Sequence, residues 1–236
     1  MSAQVAIVGG GPAGLIAAEC LAVAGHRVTI HDHRPSLGRK FLLAGRSGLN
    51  LTNDVDHETL VGRYGTSAER LEPALRRFGP DDLRRWAAGL GVETFVGSGG
   101  RVFPVGMKAT PLLRAWSKRL IDLGVTTRTG WSWEGRPVEG FDATILALGG
   151  ASWPRVGSDG AWVPALRRLG ITVRSLEPAN AGVIIEWSKW FIERFHGTPL
   201  KNVAVIFDGE RIRSDLMITR GGLEGTGVYS HSARLR

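Results

Sequence analysis

Three glycines near the start of the chain have the spacing of a phosphate-binding turn. Residues 4–8 are a short apolar run typical of a buried parallel strand, and Gly9, Gly11 and Gly14 then complete a G-x-G-x-x-G pattern. Gly9 permits a tight turn, Gly11 lets the backbone approach a pyrophosphate, and Gly14 permits close packing of a helix on a strand. That helix begins around Pro12 and Ala13, and its free N–H groups and positive dipole favour an anion.

An acidic residue follows where such a turn needs one. Residues 13–24 are a helix-favouring run that Gly25 ends, and residues 27–31 predict a second strand, which Asp32 closes. A carboxylate at this place accepts hydrogen bonds from the ribose hydroxyls of an adenine dinucleotide and disfavours the 2′-phosphate of NADP. The order of strand, turn, helix, strand and acid therefore predicts a binding site for FAD or NAD.

We expect a long loop after this unit, across residues 39–53. The segment is rich in Gly, Ser, Thr and Asn, whereas a simple nicotinamide dehydrogenase would continue directly into its next helix. Candidate contacts to a diphosphate or a flavin ring are the side chains of Arg39, Lys40, Asn50 and Thr52. Such a loop favours flavin over NAD alone. A further glycine pair, Gly149 and Gly150, follows an apolar strand, at the end where open α/β sheets bind ligands.

These motifs together resemble the BaiN/YhiN-like family of flavoproteins. The resemblance covers nearly the whole chain and is carried by the glycine turn, Asp32, Gly38-Arg39-Lys40, Gly45, Asn50-Leu51-Thr52-Asn53, Gly100-Arg101-Val102-Phe103-Pro104, and Ala143 to Gly150 with Ala151-Ser152-Trp153-Pro154. It implies FAD held non-covalently by the first β-α-β unit and NAD(P)H as electron donor. Many members have Arg-Cys-Asn where this chain has Gly48-Leu49-Asn50, so no cysteine chemistry is carried over.

The fold class expected is α/β. Residues 1–160 predict a Rossmann-like FAD-binding domain, with a parallel sheet, helices on both faces and a β-meander starting at residues 125–134. Residues 161–236 are expected to begin an inserted β-rich substrate domain. Full-length relatives continue beyond this point, so the chain resembles a C-terminally truncated member. The remaining predictions are helices at 67–78, 80–90, 110–123 and 161–169, and strands at 143–148, 178–186, 202–207 and 211–213.

Composition excludes several classes of protein. The 236 residues are 43% apolar and 22% charged, as in a globular protein and unlike a disordered or collagen-like chain.

The net charge of +8 comes from basic residues that include scattered arginine pairs. This charge suits anionic ligands but predicts no nucleic-acid surface. Cys20 is the single cysteine, and the histidines lack metal-ligand spacing, so we expect neither a disulfide framework nor a metal site. Glycines interrupt the apolar N-terminal stretch, which predicts no membrane span and a cytoplasmic protein.

The main hypothesis is an FAD-dependent oxidoreductase. In it, NAD(P)H reduces FAD by hydride transfer, and the flavin passes electrons to an unidentified small-molecule acceptor. The alternatives are an NAD-binding dehydrogenase without flavin and a non-catalytic nucleotide-binding fragment. The sequence singles out no catalytic acid or base.

Overall fold

The computed structural model describes residues 1–45, 48–97 and 99–235. Its contacts divide the chain into two compact units, Met1–Val173 and Arg174–Arg236. The first unit therefore extends beyond residue 160, where the sequence suggested a boundary. The assignment of 1–160 to cofactor binding and of 161–236 to substrate binding stays a prediction.

The first unit combines short strands with helices of one to four turns. Its strands are Gln4–Val8 (β1), Arg27–Asp32 (β2), Thr52–Asn53 (β3), Thr94–Val96 (β4), Arg101–Pro104 (β5), Thr126–Thr129 (β6) and Ala143–Leu146 (β7). Its α-helices are Pro12–Val23 (α1), Arg39–Ala44 (α2), His57–Gly62 (α3), Ala68–Arg77 (α4), Pro80–Gly89 (α5), Ala109–Asp122 (α6) and Val163–Arg168 (α7). Two 3-10 turns lie at Gly65–Ser67 and Pro154–Val156.

A four-stranded parallel sheet is the centre of this unit, with strand order β6-β2-β1-β7. Ile7 and Ile30, on the two central strands, are fully buried, and they belong to the same apolar core cluster as Leu15 of α1 and Trp116 of α6. Apolar side chains of α1 and α6 thereby cover one face of the sheet. The predicted α/β class with a parallel sheet is confirmed, as are the strands at 4–8 and 27–31 and the helices at 67–78 and 80–90 to within a residue or two.

The prediction of a long loop at residues 39–53 is wrong for the first part of that range, because Arg39–Ala44 forms helix α2. All six residues of this helix tolerate helical geometry, and Phe41 packs against both core clusters of the unit. Gly38 precedes the helix with φ of 67°, a left-handed conformation that turns the chain into α2. Arg46 and Ser47 of the expected loop lie outside the described residues.

The prediction of a β-meander from residue 125 onward is also wrong, because the strand in this segment pairs differently. Thr126–Thr129 instead adds a parallel edge strand, β6, beside β2. Its β-branched threonines suit an edge strand. Gly130, Gly135 and Pro137 then interrupt the segment, and no strand is described between residues 130 and 142. The small antiparallel sheet of order β3-β5-β4 was not predicted.

The second unit is built around an antiparallel sheet. Its strands are Val183–Ile184 (β8), Pro199–Phe207 (β9), Glu210–Thr219 (β10) and Gly222–Glu224 (β11), in the order β8-β11-β10-β9, and its helices are Lys189–Phe195 (α8), Thr226–Tyr229 (α9) and Ser232–Leu235 (α10). The predicted β-rich character is confirmed, although the strand expected at 178–186 is reduced to two residues. Asp208 and Gly209 turn the β9–β10 hairpin with positive φ angles of 49° and 76°.

A buried carboxylate joins three helices of the first unit. Glu19 of α1 is 5% exposed and accepts hydrogen bonds from the indole nitrogens of Trp86 (3.1 Å) and Trp116 (2.7 Å). The Nε of Arg119 lies 3.0 Å from its other oxygen. Because the partners come from α5 and α6, this one side chain holds two tryptophans at the inner surfaces of their helices.

Replacing Glu19 by Ala is therefore expected to lower the free energy of unfolding by about 3 kcal/mol, since two indole N–H groups and a guanidinium lose their acceptor. Urea denaturation measures this change. Asp122→Ala is the matched control, because it removes an exposed ion pair between Asp122 and Lys118, both on α6. That pair contributes at most about 0.5 kcal/mol to the free energy of unfolding. Equal losses in the two variants would contradict the assigned role of Glu19.

Candidate functional site

A large cavity of the first unit lies where the parallel strands end. It has a volume of about 920 Å³ and is lined by the turn after β1, the end of β2 and the segment after β7. In the sheet order β6-β2-β1-β7, β2 lies on one side of β1 and β7 lies on the other. The carboxyl ends of these strands therefore form the topological switch point, where open α/β sheets bind ligands. A cavity of this size accommodates a large organic ligand.

The glycine-rich turn has the geometry that its sequence predicts. Gly9 has φ of 112°, and its N–H donates to the carbonyl oxygen of His31. A Cβ at Gly14 would overlap the carbonyl oxygen of Gly9, so the close approach of helix and turn requires glycine there. Helix α1 starts at Pro12 with no side-chain cap and no acidic residue in its first turn. Its N-terminal N–H groups are thus free to bind an anion in the cavity.

Asp32 connects the turn to the end of β2. One of its carboxylate oxygens accepts a 2.7 Å hydrogen bond from the Gly10 N–H, and the other accepts a 2.7 Å hydrogen bond from the Arg34 N–H. An ionised carboxylate has about four acceptor positions, so two remain for further donors. The side chain is 14% exposed and lines the cavity, where a ligand can reach it.

Most of the predicted site residues meet around this one cavity. Those that line it are Gly9, Gly11, Pro12, Ala13, Asp32, Arg39, Lys40, Asn50 and Gly149. Three others do not line it: Gly14 packs beneath the turn, Thr52 pairs with Val102 in the small antiparallel sheet, and Gly150 lies one residue beyond the lining. Their contacts to a cofactor stay predictions.

Cationic side chains gather along one side of the cavity. Lys40 Nζ lies 2.5 Å from the hydroxyl oxygen of Ser152 and 3.4 Å from that of Ser158, and Arg34 donates to the carbonyl oxygen of Pro154 at 2.7 Å. Within residues 1–45, 48–97 and 99–235, no carboxylate forms an ion pair with Arg34, Arg39 or Lys40. Their charge is therefore available to a bound anion.

His31 is a buried polar residue of the cavity wall. It is 1% exposed, and its ring makes edge contacts with Trp131 and Phe141 at centroid distances of 4.6 and 5.6 Å. Neither ring nitrogen has a hydrogen-bond partner in the described part of the chain. Burial, with a smaller contribution from the positive charge of Arg128, lowers the pKa of His31 below its ordinary value of 6.5, so the ring is neutral at pH 7.

This lowered pKa predicts a loss of stability in acid. The unfolded chain binds a proton at His31 near pH 6.5 while the folded chain resists it, so the free energy of unfolding falls as pH drops below 6.5, by at most about 1.4 kcal/mol per pH unit. Denaturation of wild type and His31→Phe at several pH values checks this. The variant should show the shallower pH dependence, and identical slopes would contradict the expectation.

Aromatic residues that the sequence did not single out form much of the remaining wall. The aromatic lining residues are Phe41, Phe78, Trp86, Trp116, Trp131, Trp133 and Trp162, and Leu83, Gly157, Ser158 and Asp159 also line the cavity. The alternation of Trp131 and Trp133 was a visible signal, but it was interpreted as part of a meander.

Two further properties concern the described residues as a whole. Among them, no group of three or more His, Cys, Asp or Glu side chains is arranged to hold a metal ion. None of the helices in the described ranges is long and apolar enough to cross a membrane.

The fold and the cavity define a Rossmann-type dinucleotide-binding protein. A family model confirms this class and is more specific, since the model of the HI0933-like protein Rossmann domain matches residues 3–234. The chain belongs to that family, which is the flavoprotein family that its motifs resemble.

One curated relative is the 3-dehydro-bile acid delta(4,6)-reductase of Clostridium scindens, to which the chain is 28% identical over 98% of its length. The match covers 60% of the reductase, so the chain spans less than two thirds of that relative. Among solved structures, THI4 of Thermovibrio ammonificans matches with a TM-score of 0.36 and 25% identity, covering 56% of this chain and 40% of THI4. A 3-ketosteroid-delta4-(5alpha)-dehydrogenase from Rhodococcus jostii matches with a TM-score of 0.41 and 17% identity, covering 55% of this chain and 38% of the enzyme.

Proposed function

We propose that the chain binds FAD and acts as an oxidoreductase. One observation carries the proposal: the glycine turn, the N-terminus of α1 and Asp32 line a single cavity at the switch point of the parallel sheet. Those are the groups that bind the diphosphate and the ribose of an adenine dinucleotide. Membership in a flavoprotein family favours FAD as that dinucleotide.

The residues present fit such a ligand. Gly11 has open space at the position of a Cβ, so its backbone is accessible from the cavity. Arg34 and Arg39 each have a buried Nε atom without a hydrogen-bond partner among the residues that the structure describes. A diphosphate bound at the α1 N-terminus would supply acceptors and negative charge on this side of the cavity. Lys40 would add a third cation nearby.

The chemistry of the bound cofactor is hydride and electron transfer at its flavin ring. The protein's own residues act by binding and orientation: Asp32 holds the ribose, the α1 N-terminus holds the diphosphate, and the aromatic wall excludes water. We propose NAD(P)H as the electron donor and a small molecule as the acceptor. The reductase from Clostridium scindens, named for its action on a 3-dehydro-bile acid, supports an organic acceptor. A cytoplasmic location belongs to the same proposal.

A second candidate is an NAD-binding dehydrogenase without flavin. Helix α2 favours it, because the chain enters a helix at residues 39–44, where a simple nicotinamide dehydrogenase would also have one. Asp32 suits the unphosphorylated ribose of NAD equally well.

Anaerobic mixing of the FAD-loaded protein with NADH or NADPH tests the proposed reaction. We expect the visible flavin absorbance to bleach with at least one of them and to return when an acceptor is added. Absorbance that is unchanged by both nucleotides would contradict NAD(P)H as donor. Tight binding of NAD by a protein that takes up no FAD would favour the second candidate.

A further inference from the structure

A short segment after β7 crosses the carboxyl edge of the parallel sheet. This segment, residues 152–158, is called the strap below. On the β7 side, the Oγ of Ser158 lies 4.0 Å from the position that a Cβ on Gly149 would take. On the β2 side, a Cβ on Gly157 would lie 3.1 Å from the Cγ of Arg34. Because β1 lies between β2 and β7 in the sheet, the strap passes the end of β1, where the glycine turn begins.

The strap is closed by its own backbone. Trp153 and Ser158 exchange two backbone hydrogen bonds, of 2.9 and 3.1 Å, and the 3-10 turn Pro154–Val156 lies between them. Gly149 before the strap and Gly160 after it have positive φ angles of 71° and 69°. A compact loop between two such glycines is able to move as one body, in the manner of the segments that close over ligands.

Two cationic side chains fasten the strap to the segment that follows β2. Lys40 of α2 donates from its Nζ to the hydroxyl oxygens of Ser152 and Ser158, at 2.5 and 3.4 Å. Arg34 donates to the carbonyl oxygen of Pro154 at 2.7 Å. Hydrogen bonds with a charged donor are stronger than those between neutral groups. These contacts therefore favour the position in which the strap lies across the sheet edge.

The strap is also one wall of the cavity. Val156, Gly157 and Ser158 line it, as do both fastening cations, Arg34 and Lys40. A ligand at the N-terminus of α1 shares this cavity with the strap. Movement of the strap away from the sheet edge would widen the cavity, and its return would narrow it.

We propose that Lys40 and Arg34 are positioning residues, which hold the strap closed beside the bound dinucleotide and so slow both its entry and its release. This inference rests on the proposed binding of a dinucleotide. It goes beyond that function because it assigns the retention of the ligand to contacts within the protein, between these two cations and the oxygens of the strap, in addition to their charge.

Stopped-flow mixing of the apo-protein with FAD, together with tryptic digestion and thermal unfolding of the ligand-free protein, tests the assignment. The double variant Ser152→Ala/Ser158→Ala removes both acceptors of Lys40 and keeps its positive charge. We expect FAD association and dissociation each to become about tenfold faster, so that the affinity changes less than either rate. Trypsin should also cleave faster after Arg155, an exposed residue of the strap.

Three further variants serve as comparisons. Lys118→Met is the matched control, because it removes an exposed lysine paired with Asp122 on α6 and should leave both rates unchanged. Lys40→Met removes the charge as well as the contacts, so its association should be slower than that of the serine variant while its dissociation is at least as fast. Ser152→Ala alone, at an exposed position, should show a smaller rise in both rates, and it serves as the test if the double variant does not fold.

The outcomes separate this inference from the proposed function. Wild-type protein that takes up no FAD would overturn both. If the wild type binds FAD and the serine variants have wild-type rates, or unchanged cleavage after Arg155, the role of the strap alone fails. Faster dissociation without faster association would also overturn it, because the serines would then act by contacting the ligand directly.

Discussion

Asp32→Ala is expected to weaken FAD binding about a hundredfold. The carboxylate has two acceptor positions left after its hydrogen bonds to the Gly10 and Arg34 N–H groups, and these positions face the cavity. Two charge-assisted hydrogen bonds to ribose hydroxyls at about 1.5 kcal/mol each correspond to that loss of affinity. The same substitution removes the acceptor that holds the glycine turn, so the binding geometry also suffers. Titration of the apo-protein with FAD measures the change.

Asp142→Ala is the matched control for this prediction. Asp142 also accepts a backbone hydrogen bond from the parallel sheet, 2.7 Å from the Gln4 N–H, but at the opposite end of β1. Its loss should lower stability slightly and leave FAD affinity unchanged. If Asp32→Ala binds FAD as tightly as Asp142→Ala does, Asp32 is not the ribose residue.

Gly14→Ala is expected to be the most damaging single-methyl change in the glycine turn. The new Cβ would overlap the Gly9 carbonyl oxygen and lie 3.3 Å from a side-chain methyl of Ile7 in the core. Overpacking against backbone costs about 3 kcal/mol, whereas the better helix propensity of alanine returns less than about 1 kcal/mol. We expect a clear drop in the denaturation midpoint and loss of FAD binding together.

Gly11→Ala separates folding from binding at the same turn. Gly11 has φ of −81° and open space around its Cβ position, so alanine is tolerated by the fold. The methyl group would nevertheless occupy space that a pyrophosphate needs for close approach to the backbone. The variant should unfold like the wild type but bind FAD more weakly. A stable Gly14→Ala protein, or an undiminished affinity in Gly11→Ala, would contradict these assignments.

The first β-α-β unit could be predicted from sequence because its signals are local. A short apolar run, three spaced glycines and a helix-forming run define β1, the turn and α1, with no information from distant residues. The predicted helices at 67–78 and 80–90 depended on the same kind of evidence. In contrast, β6 pairs with β2 through residues that are far apart in the chain, such as Thr29 and Thr126, whose hydroxyls lie 2.7 Å apart. No local pattern indicates that pairing.

The site residues that belong to the backbone motif could be predicted from sequence. The residues that packing brings to the cavity could not. The glycine positions and Asp32 follow from the motif, and they do line the cavity apart from Gly14. Trp86 and Trp116 reach the wall because Glu19 orients them across three helices, an arrangement that sequence spacing does not reveal. Helix α2 was not predicted, because residues 39–44 were assigned to a loop on the basis of the glycine and asparagine content of the residues that follow them.

The most direct test of the central claim is the visible absorption spectrum of the purified protein before and after addition of FAD, with the released cofactor identified after denaturation. We predict a yellow protein with the absorption bands of oxidised flavin, which releases FAD in a one-to-one ratio. A colourless protein that takes up no added FAD would contradict the claim that this cavity is a flavin site.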